Sequence, residues 1–293
     1  MKLFFKSILY FILGLPAVPK PFTKKMKLGA SYSVFDGEEL LEFSIKQIRP
    51  YVDYITVVWQ DISWRGNPAK IDLHSFLLNL QKQGLVDKLI YFKPNLKLQP
   101  SRNEINKRNI GLQDAKKNNC THFMTMDCDE FYVPEEFKTA KELIAKNGIT
   151  HSFVYMVDYA GVNVRFKNYN TGMFCPFIYK IGFFAKFKNK YNGFFNCIPC
   201  VVDSTRKIPI KKTSSISIVP NLTLHHFPLV RKSVEGYFKK LDNSSINTSS
   251  ANIDPFKAKF NKEFFDMVAQ IEETKISNDP NLIYVKNMFD IRL

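Results

Sequence analysis

Cysteine is scarce in this sequence, and its spacing does not match the usual cysteine-based scaffolds. Five cysteines in 293 residues are an odd number and do not indicate a disulfide framework. Cys197 and Cys200 form a C-x-x-C pair, but no second pair of ligands follows at the spacing of a zinc ribbon or finger. Residues 201–203 read as a strand, whereas a thioredoxin-like motif opens a helix. We therefore interpret the pair as a coincidence in a protein with reduced cysteines.

Acidic residues and long apolar runs are both missing near the N-terminus. The first 27 residues contain six lysines and no Asp or Glu, and the apolar run between Lys6 and Lys20 covers only residues 8–18. A bilayer-spanning helix needs about 20 apolar residues, so this run is too short to cross. Three interpretations remain: a signal peptide, the first buried segment of the fold, or an interfacial segment. Prolines near Ala17 make a poor cleavage site, and lysines beside an apolar run suit anionic headgroups, so we favour the interfacial segment.

Aromatic and basic residues are abundant. The chain is 45% hydrophobic and contains 27 Phe and 13 Tyr, which is enough to bury a substantial core in a single main domain. Its net charge of +15 comes mainly from lysine. Solvated lysines would explain this charge, but a basic protein also attracts nucleotides, phospholipids or nucleic acid.

The hydrophobic pattern predicts an α/β fold at the start of the chain. Residues 27–34 read as a strand, residues 40–48 as a helix capped by Asp36, and residues 54–59 as a fully buried strand. A β-α-β order of this kind predicts a parallel sheet. The further predicted elements are helices over 72–83, 102–117 and 140–147, strands over 88–92, 121–126, 150–157 and 217–224, and a C-terminal helix over 256–276.

Residues 174–190 interleave aromatic side chains with lysines. Phe183, Ala185 and Phe187 alternate with lysines, which fits an amphipathic strand. The same mixture of basic and aromatic residues occurs in proteins that bind single-stranded nucleic acid. Both interpretations remain open, and we favour the strand.

Two acids follow the strongest strand pattern. Residues 120–134 read C-T-H-F-M-T-M-D-C-D-E-F-Y-V-P, so an apolar run ends abruptly on Asp127, Asp129 and Glu130. Open α/β sheets bind ligands at the carboxyl ends of their strands. In an extended chain, residues two apart point the same way, so Asp127 and Asp129 can converge on one hard cation, Mg²⁺ or Mn²⁺, with a diphosphate supplying further oxygens. A solvated loop is the alternative, but apolar residues on both sides favour the metal site.

The run M-D-C-D-E-F-Y resembles the D-x-D-E-F motif of bacterial family 2-type glycosyltransferases with the GT-A fold, close to those grouped with family 92. A second segment, L-H-H-F at residues 224–227 followed by R-K-S-V-E-G-Y-F-K-K at 231–240, is similar to that family's N-H-Y and K-S-x-E-x-[FY]-x-x-K pattern. The family's Asn and Tyr are replaced here by His225 and Phe227. The resemblance covers roughly residues 27–242. It implies a mostly parallel, Rossmann-like mixed sheet flanked by helices.

The resemblance also implies roles for single residues. His226 matches the family's histidine, and a neutral imidazole can complete an Mn²⁺ site that already contains carboxylates. Cations near a leaving diphosphate stabilise its charge, which makes Arg231 and Lys239 candidates. The residues implied at the nucleotide or its phosphates are Ser31, Phe35, Asp61, Arg102, Lys107, Arg108 and Asn109.

A carboxylate near the acceptor could act as the general base. Asp158 ends the predicted strand 150–157 at the position of the family's acceptor-side loop, so it is the first candidate, with Glu130 and then Glu135 after it. Each needs to lie within hydrogen-bond reach of the acceptor hydroxyl.

Together these features predict a metal-dependent glycosyltransferase. We expect it to move a sugar from a nucleotide diphosphate donor to a hydroxyl of a lipid-linked or oligosaccharide acceptor, within lipopolysaccharide, lipooligosaccharide or capsule, and not to act on nucleic acid. The expected location is cytoplasmic, peripheral to the inner face of the membrane. Residues 1–26 would form the interfacial segment, 27–242 the catalytic domain, and 243–293 a polar linker and helix. The alternatives are a basic nucleic-acid-binding protein and an inactive scaffold of glycan biosynthesis.

Overall fold

The computed structural model describes residues 25–35, 37–69, 72–167, 174–188, 203–210, 213–233, 236–237 and 259–293. These residues form an eight-stranded sheet in the order β3-β2-β1-β4-β8-β6-β9-β5 and a two-stranded sheet of β7 and β10. The strands are β1 (Leu28–Val34), β2 (Tyr54–Trp59), β3 (Lys88–Tyr91), β4 (His122–Asp127), β5 (Glu130–Phe131), β6 (His151–Asp158), β7 (Val164–Phe166), β8 (Phe174–Lys180), β9 (Ile216–His226) and β10 (Leu282–Tyr284). The helices are α1 (Glu38–Ile48), α2 (Leu73–Lys82), α3 (Pro100–Lys117), α4 (Pro134–Asn147) and α5 (Lys262–Thr274).

The first half of the large sheet is parallel, as the sequence predicts. β3, β2, β1 and β4 are joined in parallel pairs, and the intervening chain forms helices. Helix α1 buries Leu41, Ile45 and Ile48, a spacing of three to four residues that places them on one face. Ala30, Val57 and Met124 of the strands lie in the same apolar cluster as this face. The carboxyl ends of β1, β2, β3 and β4 therefore meet at one edge of the sheet.

The second half of the sheet mixes strand directions. β4 pairs antiparallel with β8, β8 with β6, and β5 with β9, whereas β6 and β9 run parallel. Four of the seven adjacent pairs are thus parallel, so the predicted mixed, mostly parallel sheet flanked by helices is confirmed. Because β5 follows β4 after a two-residue turn and pairs with the end of β9, the acids after β4 lie beside His226.

Two elements before the C-terminal part differ from their prediction. Helix α4 begins at Pro134 rather than at residue 140, since proline is tolerated in the first turn of a helix, where no N–H partner is needed. Residues 183–185 do not continue β8 as an amphipathic strand. Ala185 N–H donates to the Gly182 carbonyl oxygen at 3.0 Å, so the chain turns there, and Phe187 alone of the alternating aromatics is buried.

The C-terminal part packs onto the domain. Helix α5 is shorter than the predicted 256–276 and is capped by Asn261, whose side chain accepts from Phe264 N–H. Val268 and Ile271 of α5 cluster with Leu282, and Phe289 packs against Phe131 and Phe227 beneath the acids. The proposed linker at 243–251 lies outside the described residues, and the predicted domain boundaries stay predictions. Within the described ranges, no helix is both long and apolar enough to cross a bilayer.

Candidate active site

The end of β4 brings acids to the carboxyl edge of the sheet. Asp127 is the last residue of β4 and lies opposite Ser33 of β1. Cys128 and Asp129 form a turn, and Glu130 opens β5 opposite His226. Strand alternation therefore does not set the relative direction of the Asp127 and Asp129 side chains. Each carboxylate has its own set of partners.

Asp127 is held by two buried arginines. Arg206 Nη2 lies 2.5 Å from Asp127 Oδ2, and Arg108 Nη1 lies 3.2 Å from Asp127 Oδ1. The Arg108 and Arg206 side chains are 0% and 3% exposed and that of Asp127 is 34% exposed, so solvent reaches these ion pairs only at the carboxylate. Burial by itself would raise the pKa of Asp127, but the two guanidinium groups outweigh it and lower the pKa to about 2. Asp127 is therefore a carboxylate at any ordinary pH.

Arg206 also organises Glu130 and Asp203. Its Nη2 lies 2.6 Å from Glu130 Oε1 and its Nε lies 2.8 Å from Asp203 Oδ2. Asp203 caps the short 3₁₀ turn Ser204–Arg206, with its Oδ1 accepting from Thr205 N–H at 2.7 Å. Burial raises the pKa of Glu130 despite the charge of Arg206, whereas Arg108 and Arg206 overcome burial to lower the pKa of Asp203. The turn is thus fixed onto the end of β4 by charge.

Three carboxylates at this point fit a divalent cation. Glu104, Asp127 and Asp203 each offer an oxygen, and these oxygens lie within 4.8 Å of one another. Among the described residues, no other group of three His, Cys, Asp or Glu side chains has this proximity. With Glu130 ionised, four carboxylates face two guanidinium groups, an excess of two negative charges. Carboxylate oxygens and excess negative charge are what Mg²⁺ and Mn²⁺ require.

Asp129 belongs to a second, neighbouring group. Arg231 Nη2 lies 3.0 Å from Asp129 Oδ2, and His226 Nε2 lies 3.8 Å from Asp129 Oδ1. His226 Nδ1 lies 2.7 Å from Asp158 Oδ1, because β6 and β9 pair with Asp158 opposite His226. A carboxylate on one ring nitrogen fixes the orientation and tautomer of a histidine. The structure therefore brings together four predicted site residues: Asp129, Asp158, Arg231 and His226.

The two histidines of the pair have different surroundings. His225 is buried, and its Nδ1 lies 2.9 Å from the Tyr159 hydroxyl. Burial lowers the pKa of His225 to about 4, so it is neutral at physiological pH. The His226 side chain is 24% exposed and faces the acids. Of the pair, His226 is the one in position to meet a ligand.

The basic helix residues predicted at the phosphates are mostly held inside the protein. Lys107 Nζ donates to the Val34 carbonyl oxygen at 2.8 Å and to Gln60 Oε1 at 2.9 Å, and burial lowers the pKa of this amine to about 7. Asn109 exchanges two hydrogen bonds with the Phe187 backbone, at 2.8 and 3.2 Å. These two side chains, like that of Arg108, position neighbouring segments. Their proposed nucleotide contacts stay predictions.

The remaining predicted nucleotide residues are scattered along the same edge and the strands behind it. Ser31 is buried within β1, and a Cβ added at Gly111 would come within 2.0 Å of Ser31 Oγ, so α3 approaches β1 closely there. Asp61 is exposed and accepts from the Tyr91 hydroxyl at 2.8 Å. Phe35 follows β1 directly, and Arg102 is exposed in the first turn of α3. Lys239 lies outside the described residues.

Sequence reasoning missed Glu104, Asp203 and Arg206. One signal was available for Asp203, which is the sole acidic residue between Asp158 and Glu235. An isolated acid in a basic stretch of this length indicates a fixed partner. Of its two arginine partners, Arg206 is three residues away, whereas Arg108 is 95 residues away, before most of the strands of the sheet.

Comparisons with known proteins give similarity in structure only. No family model matches the chain, and no curated protein does. The structure of S. aureus TarS is 14% identical with a TM-score of 0.47, covering 80% of this chain and 43% of that chain. S. aureus TarS 1-349 in complex with UDP-GlcNAc is 12% identical with a TM-score of 0.45, covering 86% and 77%. GalNAc-T7 with UDP, GalNAc and Mn²⁺ is 12% identical with a TM-score of 0.43, covering 89% and 60%. The chain thus spans less than half of the first of these structures.

Proposed function

We propose that this chain is a metal-dependent glycosyltransferase of the GT-A type that uses a nucleotide diphosphate sugar. The observation that carries the proposal is the group of three carboxylate oxygens from Glu104, Asp127 and Asp203 at the carboxyl edge of a mostly parallel sheet. That edge is where such sheets bind ligands. The D-x-D-E-F and H-H-F resemblances in the sequence support the same function.

The metal would be held at the end of β4. The donors are hard oxygens and the site carries excess negative charge, so the residues present fit Mg²⁺ or Mn²⁺. Asp127 would be shared between the cation and the two arginines, with Glu104 and Asp203 as further ligands. Asp129 and His226, the other predicted ligands, would be further candidates to hold the cation. When bound, the cation neutralises the charge that develops on the departing nucleoside diphosphate.

The residues of the chain would orient and stabilise the substrates. Arg231, 3.0 Å from Asp129 and at the side of His226, provides a positive charge next to the acids for a diphosphate. Arg102 and Lys239 are the other proposed phosphate contacts. The acids and arginines are largely buried, so charges within the site act in a medium of low dielectric constant.

Asp158 is the better candidate for the general base. Its side chain is 32% exposed, and it lies at the end of β6 next to His226. The Glu130 carboxylate is 4% exposed, and it bonds Arg206 and the Asp127 N–H. A base needs a free lone pair within reach of the acceptor hydroxyl, which Asp158 can offer toward solvent and Glu130 cannot.

The acceptor is proposed to be a growing cell-surface glycan at the inner face of the membrane. Lipopolysaccharide, lipooligosaccharide and capsule are the glycans of this kind. The support is the resemblance to bacterial enzymes together with the net charge of +15, which favours an anionic membrane surface. A location in the cytoplasm gives access to nucleotide sugars.

The direct test is a panel of nucleotide diphosphate sugars followed by thermal shift, with and without Mn²⁺. We expect one donor to raise the Tm of the wild type only when metal is present, and Asp203→Asn to abolish that shift. Asp266→Asn, in an exposed ion pair with Lys262, is the matched control and should respond like wild type. Absence of a metal-dependent shift with any donor, from folded protein, would overturn the proposal. Binding without turnover would instead favour the inactive scaffold.

A further inference from the structure

The turn after β8 presents two phenylalanines to solvent. Phe183 is 89% exposed and Phe184 is 79% exposed, and their rings contact each other edge to face with centroids 4.8 Å apart. Among the described residues they are the only exposed phenylalanines. Scattered single exposed apolar residues are ordinary, but an adjacent aromatic pair left in water is not. We call residues 181–188 the aromatic tip.

The aromatic tip is held in place on both sides. Lys116 Nζ of α3 donates to the Ala185 and Phe183 carbonyl oxygens at 2.8 and 3.3 Å. Ile181 N–H donates to the Thr121 carbonyl oxygen at 2.8 Å. Phe187 is buried beside Phe123, and its backbone exchanges hydrogen bonds with Asn109. Because the flanking residues are fixed, the Phe183 and Phe184 rings cannot fold back into the core.

The surroundings of the tip are basic. Lys180, Lys186 and Lys188 are exposed around it, and Lys117 is exposed at the end of α3. The sequence from 159 to 234 contains twelve Lys and Arg but a single acid, Asp203. That acid forms ion pairs with Arg108 and Arg206. The tip itself contains lysines and no acidic residue, so its own net charge is positive.

The tip also lies beside Lys27, the residue that precedes β1. β8 runs antiparallel to β4 with Lys180 opposite His122, so the tip adjoins the beginning of β4. Lys27, which precedes β1, bonds Thr121 at the same place, its N–H lying 2.9 Å from Thr121 Oγ1. The Phe183 end of the tip therefore lies at the beginning of β4, and the acids of the candidate active site follow the other end of this strand, about 20 Å along it. The far end of the tip reaches the site, because Lys188 N–H donates to the carbonyl oxygen of Lys207, next to Arg206, at 2.8 Å.

We propose that the aromatic tip inserts into the interface of an anionic lipid bilayer. Aromatic rings on a lysine-rich surface match what such an interface binds: the rings enter the boundary with the acyl chains and the ammonium groups meet the anionic headgroups. This inference does not rest on the proposed function.

The first test is co-sedimentation of the full chain with phosphatidylglycerol–phosphatidylcholine vesicles. We expect binding that weakens with salt and with removal of phosphatidylglycerol, and a partition coefficient about tenfold lower for Phe183→Ser/Phe184→Ser. Ile276→Ser, which removes a side chain that is 67% exposed elsewhere on the surface, is the matched control and should bind like wild type. Equal partition of the double variant and wild type would overturn the proposal.

A second test separates the tip from the N-terminal segment. In Phe184→Trp the new indole should shift its fluorescence to shorter wavelength on the vesicles and be quenched by brominated acyl chains, whereas Ile276→Trp should show neither change. No quenching of Phe184→Trp in vesicle-bound protein would show that another segment makes the contact. A single-stranded RNA oligonucleotide is the competing ligand. If it binds wild type more tightly than the vesicles do, and the double variant loses this affinity, the tip is a nucleic-acid-binding surface and the membrane proposal is overturned. Metal-dependent donor binding should be unchanged in every variant of the tip.

Discussion

Asp127 and Asp129 are separated by one residue, yet they lie in different charge environments. Asp127 has two arginine partners, both buried, and a pKa lowered to about 2. Asp129 has one arginine, Arg231, and a histidine 3.8 Å away. The comparison shows that two acids one residue apart at a strand end can have different partners: Asp127 binds the arginines that fix the fold and also belongs to the candidate metal group, whereas Asp129 lies with His226 and Arg231. Asp127 secures a turn from a distant part of the chain, while Asp129 faces the residues of β6 and β9.

Arg206 and Arg231, the arginines beside the two acids, differ in how many carboxylates they bind. Arg206 joins Asp127, Glu130 and Asp203, three carboxylates that come from two segments more than 70 residues apart. Arg231 joins Asp129 and nearby backbone carbonyls, those of Phe227 and Val230. Loss of Arg206 would remove an ion-pair partner from three carboxylates, and of its three ion pairs only those of Asp127 and Asp203 are shared with Arg108. Loss of Arg231 would remove a partner from one carboxylate. The cost of removing a buried partner is dominated by the charges left behind.

The largest effect is expected from Arg206→Met. Removing this guanidinium should lower the free energy of unfolding by about 3–5 kcal/mol, because Asp127, Glu130 and Asp203 would lose a shared buried partner. Arg231→Met should cost clearly less. Urea denaturation of both variants measures the difference through the midpoint at constant m-value. Equal losses for the two arginines would contradict the contrast between the two acids.

Asp158→Asn should affect turnover rather than donor binding. If Asp158 is the base, its loss should lower kcat about 10²–10⁴-fold and leave the metal-dependent thermal shift with donor intact. Asparagine retains the size of the side chain and can still hydrogen-bond His226, so the fold should be maintained. His226→Gln, by contrast, should weaken metal-dependent donor binding. A normal rate in folded Asp158→Asn would remove it as the base and leave it as the residue that orients His226.

The elements of the fold could largely be predicted because they depend on local patterns. Residues 54–59 match β2 from end to end, since a run of Ile, Thr and Val flanked by polar residues specifies a buried strand without help from neighbours. The helix that precedes the acids was predicted from 102 and begins at Pro100, within the usual uncertainty of a helix start. The aromatic tip was not predicted. The alternation of apolar and basic residues is the same in a strand and in a turn whose rings point outward.

Only those site residues that stand in one short, recognisable segment of the sequence could be predicted. Asp127, Asp129 and His226 stand in short runs that can be recognised alone. The ion pair between Arg206 and Asp127 forms only when the 3₁₀ turn packs against the end of β4, and no local sequence pattern indicates it. The same applies to Lys107, whose charge suggested a phosphate contact but whose amine is buried against the Val34 carbonyl. Burial is a property of the whole fold.

The smallest predicted effect is on the pH dependence of stability, to which residues at the two ends of β4 contribute differently. His122, at the beginning of β4, is buried, and burial, followed by Lys180 and Lys141, lowers its pKa from 6.5 to about 4. The unfolded chain therefore binds more protons than the folded one between these values, so stability is present above pH 6.5 and is lost as pH falls toward 4. The pKa of Asp127 falls from 3.8 to about 2, so its contribution is lost only below pH 3.8.

We expect His122 and Asp127, at the two ends of β4, to change the free energy of unfolding in separate pH ranges when urea unfolding is measured as a function of pH. Between pH 7 and 5, His122 alone should account for a loss of about 2 kcal/mol, since one pKa unit corresponds to 1.36 kcal/mol. His122→Gln should reduce the slope in this window and leave the loss below pH 3.8 unchanged. His151, whose pKa burial also lowers to about 4, provides the matched variant His151→Gln with a similar reduction. His225, whose pKa burial also lowers to about 4, titrates in the same window and needs the variant His225→Gln. A slope between pH 7 and 5 that none of the three substitutions changes would mean that the acids at the end of β4 titrate there as well, against the arginine-held carboxylate described above.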